Sequence, residues 1–204
     1  MDDILRWVRE ARRQADWVFM SVHSHETGDT QEEPAEFLKT FARRCVDEGA
    51  DAVLGHGPHF LRGVEVYKNR PIFYILGNFI FQNEVIPRLP SELYERAGLD
   101  NTATPADFYD YRSQNDTRGF PADAMFWESV VAVIHLNRNG PGEVRLHPIE
   151  LGFRKPRSSR GRPVLASEDA GRRILKTLQE LSEPYGTQVR LVNGVGVIDL
   201  PPAG

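Results

Sequence analysis

The pentapeptide Gly55-His56-Gly57-Pro58-His59, directly after the apolar run Ala52-Val53-Leu54, constrains this chain more than any other feature. A short apolar run that ends in two glycines and a proline reads as a buried strand stopping in a stiff, tight turn. Gly55 and Gly57 let the backbone turn where a Cβ would clash, and Pro58 fixes its own φ beside His59. Two imidazoles on such a turn can point at one ion. Imidazole is the commonest metal-binding side chain, and near neutral pH it needs little deprotonation to bind. The alternative is a pair of partly buried loop histidines that hydrogen-bond the backbone and bind nothing.

A second cluster lies upstream. The run Asp16–Val22 reads as a strand and delivers His23, His25 and Glu26 at its end. Ligands of open α/β sheets sit outside the carboxyl ends of the strands, so both clusters are expected to face one crevice. Ser24-His25-Glu26 is equally compatible with an exposed polar loop.

The surrounding pattern predicts an α/β layout. Met1 to Gln14 reads as a helix with Ile4, Leu5, Val8 and Ala11 on one face. Pro34 stands near the start of a second helix whose Phe37, Leu38, Phe41, Ala42, Cys45 and Val46 form a stripe ended by Gly49. Strand, helix, strand in that order favours parallel pairing of Asp16–Val22 with Ala52–Leu54. Val64–Tyr67 and Pro71–Leu76 read as a hairpin around Lys68-Asn69-Arg70.

From Glu84 to Asp123 periodicity fails, and the expectation is a long loop with a short helix near Ser91–Ala97. Tyr94, Phe108, Tyr109 and Tyr111 either line a substrate cleft under this loop or pin it to the core. Beyond it, Ser129–Leu136 and Glu143–Leu151 read as strands joined through Asn139-Gly140, with His135 and His147 structural. Ser167 caps a helix to about Ser182, with Glu168 and Asp169 at its positive end. Val189–Val192 and Val195–Leu200 form a hairpin at Asn193-Gly194.

Composition removes several function classes. The 204 residues, 40% hydrophobic and 26% charged, suit one globular domain spanning 1–204, with 84–124 as a loop-rich insertion. A formal net charge of −4 gives no field for a nucleic acid, and Arg154 to Arg162 reads as a solvated loop. The lone Cys45 excludes an internal disulfide and falls on a core face. No apolar run reaches membrane-spanning length and no signal peptide precedes the first helix, which leaves the location of the protein open.

The run from "VHSHE" through "GADAVLGHGPH" to "PIFYILGNF" resembles the CapA family of bacterial capsule (poly-γ-glutamate) synthesis proteins, themselves similar to calcineurin-like metallophosphoesterases. The resemblance continues through "GRPVLA" and is weakest between Pro87 and Ala124. It implies a layered αββα sandwich holding divalent metal ions, two in a complete domain. His23, His56 and His59 would be ligands, while Glu26, His25 and Asn78 would support them or contact substrate. It further implies an anionic polymer or phosphoester substrate and contacts with capsule-synthesis components.

The family's Asp-rich, Gly-Asp and Asn-His motifs precede the position of His23, and this chain holds only about fifteen residues there. The expectation is therefore the C-terminal portion of the domain, with an incomplete site, weak metal binding, no turnover by itself and an exposed sheet edge where the upstream half would dock. A metal-dependent hydrolase, a non-catalytic assembly component and an inactive fragment are the three readings.

Overall fold

A computed structural model describes residues 1–138 and 140–200. Helix α1 (Asp2–Gln14) leads into strand β1 (Phe19–His23), helix α2 (Glu36–Asp47) and strand β2 (Ala52–His56). Strands β3 (Val64–Tyr67) and β4 (Arg70–Phe73) follow as a hairpin, turning at Lys68 and Asn69, both at positive φ. Together these strands make a sheet of order β1-β2-β4-β3, parallel except for β3.

One face of this sheet is built by the two amphipathic helices. Leu5 and Val8 of α1 and Leu38, Phe41, Ala42, Cys45 and Val46 of α2 pack on Val18, Val53, Ile72 and Tyr74. Burying each large apolar side chain contributes about 1.5–3 kcal/mol, which outweighs the modest helix propensity of the β-branched and aromatic members. Two stripe positions do not take part: Ile4 and Phe37 are 47% and 50% exposed, each lying on the edge of its stripe. Cys45 is fully buried, and burial pushes its thiol pKa up to about 11, as suits a core residue.

The opposite face meets a second, antiparallel sheet. Strands β5 (Glu128–Asn137) and β6 (Gly140–Glu150), the short β7 (Val164–Leu165), and β8 (Arg190–Val192) with β9 (Val195–Asp199) form it, in order β5-β6-β9-β8 with β7 on β6. Helix α5 packs against this sheet, touching β5, β6 and β9. It runs Glu168–Ser182, capped by the Ser167 side chain, which accepts from the amide of Ala170. Its Ile174, Leu175 and Leu178 share a core with Val144, Leu146 and Ile198 of this sheet and with Leu61, Val64 and Phe73 of the first. The last hairpin turns at Asn193 and Gly194, both at positive φ. The expected Asn139-Gly140 turn involves Asn139, which lies outside the described residues.

The segment from 84 to 123 is more ordered than its sequence suggests. Besides α3 (Ser91–Arg96) it holds α4 (Pro105–Ser113), opened by a capping box in which Thr104 and Asp107 satisfy each other's backbone amides. Phe108 and Tyr109 are buried, whereas Tyr111 is 56% exposed.

The stretch from 154 to 162 is an exposed loop as expected except around its anchor points, Arg157 and Arg160. Arg160 is 3% exposed, pairs with Glu84 and Asp116, and stacks on Trp127. Arg157 reaches Asp110 at 2.6 Å and also faces Glu84 and Asp116. Five charges thus tie the segment to the loop after β6. No helix among the described residues is long and apolar enough to cross a membrane.

Candidate functional site

The histidines meet where β1 and β2 end. The two strands run parallel with His23 opposite His56, and the backbone pairing continues one step as the Ser24 amide donates to the His56 carbonyl at 2.9 Å. Register also fixes the side. Ser21 pairs with Leu54, and Leu54 packs in the core shared with the second sheet, so alternation puts Ser21, His23, Leu54 and His56 on that face. Along the outer strand β1 this face is exposed, with Phe19 45% accessible.

The glycines around His56 answer to close approaches. A Cβ on Gly55 would stand 2.0 Å from the Tyr74 carbonyl oxygen, and one on Gly57, at φ +139°, 2.4 Å from that of Ser24. The turn after β2 therefore packs its backbone against both neighbouring segments, which only glycine allows.

Beyond β1 the chain folds back on itself. The ring of His25 comes to 5.1 Å from that of His23, and their Nε2 atoms lie 3.1 Å apart, one donating and the other accepting. The His59 ring is 6.0 Å from His25. His59 adopts φ 72°, in the left-handed region. Its Nδ1 meets Asn78 Oδ1 at 2.8 Å, while Asn78 Nδ2 donates to the carbonyls of His59 and Phe126, each at 3.0 Å. Asn78, buried at this junction, thus sets the direction of the His59 ring and leaves Nε2 facing outward from the bond. Phe81 and Phe120 pack on the same ring at 5.5 and 5.3 Å.

The loop carrying Glu26 is held from below. Arg62, fully buried and stacked on Phe60, donates to the carbonyls of Gln31 (2.7 and 3.1 Å) and Glu26 (3.0 Å). The Glu26 side chain itself is exposed, and its amide donates to Ser24 Oγ.

The expected convergence of His23, His56 and His59 is not what the structure shows. The cluster is His23, His25 and His59, and the exposed His56 ring makes no contact with it. Among the described residues no three His, Cys, Asp or Glu side chains are gathered closely enough to hold an ion. The difference is local: both His23 and His56 end their strands exposed, but only His23 is followed by a turn that brings another imidazole, that of His25, against it. The fit to a metal is partial. With metal–nitrogen bonds of about 2.0–2.1 Å, two donors on one ion sit about 3.0–3.4 Å apart, which the 3.1 Å His23–His25 separation matches.

An α/β chain with imidazoles at the carboxyl ends of adjacent parallel strands belongs to the class whose ligands sit at strand ends. Sequence comparison makes this specific: residues 1–83, which contain all four of these histidines, match the family of the bacterial capsule synthesis protein PGA_cap. Over that region the chain is similar to proteins of the CapA family. The protein y4sH of Sinorhizobium fredii is 42% identical over 208 residues, covering 97% of this chain and 44% of its own length. The PGA biosynthesis protein CapA of Bacillus subtilis is 42% identical over 74 residues, 36% of this chain and 19% of that protein. The chain thus spans less than half the length of the curated relatives it matches.

Proposed function

We propose that this chain contributes part of a divalent-metal centre to a CapA-type protein acting in bacterial capsule or poly-glutamate synthesis. The observation that carries the reading is the His23–His25 pair, with Nε2 atoms 3.1 Å apart beside a His59 whose other nitrogen is held by Asn78. A ring nitrogen pinned by a neighbouring acceptor leaves the remaining one as a preoriented donor, which is how metal-binding histidines are commonly arranged. In this reading His23 and His25 hold the ion, His59 approaches it, and Glu26 stands ready as a carboxylate at the rim. An ion bound there would polarise a phosphoryl or carbonyl oxygen and lower the pKa of a bound water.

The remaining ligands, the second metal and the rest of a layered αββα sandwich belong in this proposal to the longer protein, where a phosphoester or the anionic polymer would be the substrate. A second reading, a non-catalytic assembly component, draws on the absence of a three-donor group among the described residues. Calorimetric titration with Zn²⁺ and Mn²⁺ tests the choice. The chain alone should bind weakly, with His23→Ala and His25→Ala abolishing binding and Asn78→Leu weakening it by about tenfold. Stoichiometric, tight uptake of two ions would contradict the incomplete site, and binding indifferent to His23 and His25 would remove the metal reading.

A further inference from the structure

The charges of the 84–118 segment are unevenly matched. Glu84, Asp110 and Asp116 are taken by Arg157 and Arg160, and Asp107 caps α4. Arg112 and Arg118 form no ion pair among the described residues. Both line a cavity of about 180 Å³ whose walls include Tyr109, Phe120 and Phe126. A wider groove next to it shares Arg112, Arg118 and Gly119, so the two arginines stand where the spaces meet.

Among the described residues the only carboxylate on the cavity wall is Glu84, and it is already neutralised by the buried Arg160. The lining therefore carries two uncompensated guanidinium groups over aromatic surface. Guanidinium forks suit planar oxyanions, and both arginines are exposed, so an incoming anion can reach them from solvent. The cavity also adjoins the histidines, because the Phe120 ring on its wall packs edge-on against His59 at 5.3 Å.

We propose that this cleft is an anion-binding subsite for a carboxylate- or phosphate-bearing ligand, with Arg112 and Arg118 holding the charged group and Phe120 guiding the rest of the ligand toward His59. Its role as the substrate side of the centre rests on the metal reading above; the binding itself does not. Arg112 also lies in the last turn of α4, where a cation offsets the negative helix end. A purely helical role predicts lost stability without lost binding.

The test uses the full chain in a chelator, titrated with inorganic phosphate and with a tetraglutamate peptide. At least one probe should bind at a single site, more weakly as salt is raised. Arg112→Gln and Arg118→Gln should each weaken it by about tenfold, the loss of a charge-assisted hydrogen bond. The charge-matched single controls Arg6→Gln and Arg172→Gln, on exposed arginines of α1 and α5, should leave binding unchanged. Preference for the peptide marks a polycarboxylate ligand and preference for phosphate a phosphoester. Equal weakening in the controls, a drop in melting temperature with binding intact, or no binding of either probe would overturn the subsite. Anion binding that survives while the metal titration fails would sink the metal reading alone.

Discussion

Two guanidinium groups are buried among the described residues, and their surroundings solve the same problem in opposite ways. Arg160 is neutralised by the carboxylates of Glu84 and Asp116. Arg62 has no carboxylate in contact and is solvated by the carbonyls of Gln31 and Glu26. Burial opposes the charge of both. For Arg160 the hydrogen bonds it donates to Asp116 and Glu84, with their charges, more than offset it and hold its pKa above the usual value, whereas for Arg62 burial wins and the pKa is lowered. The ionic region joins parts of the chain 76 residues apart, and the carbonyl-bound region shapes one loop next to the histidines. An ion pair thus anchors the wall of the proposed subsite, while neutral dipoles hold the loop that carries Glu26.

The comparison breaks most sharply at Arg160. Arg160→Met strands Glu84, whose side chain is 8% exposed, and removing one partner of a buried pair costs about 3–5 kcal/mol. Urea denaturation should show that loss, and hydrogen exchange should show α4 losing protection with it. Arg62→Met leaves no charge behind, only two carbonyl groups without their donor, at about 1–3 kcal/mol. The same denaturation series should rank it below Arg160→Met, with faster proteolysis confined to residues 26–33. Equal losses would mean that the two sites do not differ in the way described.

The smallest effect is in acid. The hydrogen bond from Arg160, opposed by burial, lowers the Asp116 pKa below its ordinary 3.8. A carboxylate whose folded pKa is depressed adds stability above its unfolded pKa and loses it as pH falls through the folded value. The gap between wild type and Arg160→Met should therefore narrow below about pH 4, modestly because the Asp116 side chain is 41% exposed. The gap for Arg62→Met should narrow less over the same range, since Arg62 pairs with no carboxylate among the described residues and only the more distant carboxylate charge of Glu32 is coupled to it.

What was legible in the sequence follows the range of the interactions that decide it. The parallel pairing of β1 with β2, both hairpin turns with positive-φ residues and the Ser167 cap rest on neighbours in sequence, and they read correctly. Helix α4 was legible too, through Thr104, Pro105 and Asp107, but the polar and aromatic run around it hid the capping box. Arg160 could not be read, because its partners at 84 and 116 are brought in only by the tertiary fold. At the site, the alternation of His23 and His25 was the available signal for their pairing, since residues two apart near a strand end share a side. The direction of His59 depends on Asn78, nineteen residues further on, and no local pattern announces it.

His59 carries a further consequence. A histidine at φ 72° occupies backbone space that glycine enters freely, so the residue that would make this turn easiest to form is one with no ring at all. Position 59 is a point where foldability and chemistry pull apart. A library selected for thermal endurance alone should drift toward glycine there, and one selected for ligand capture should return to histidine despite the lower melting temperature.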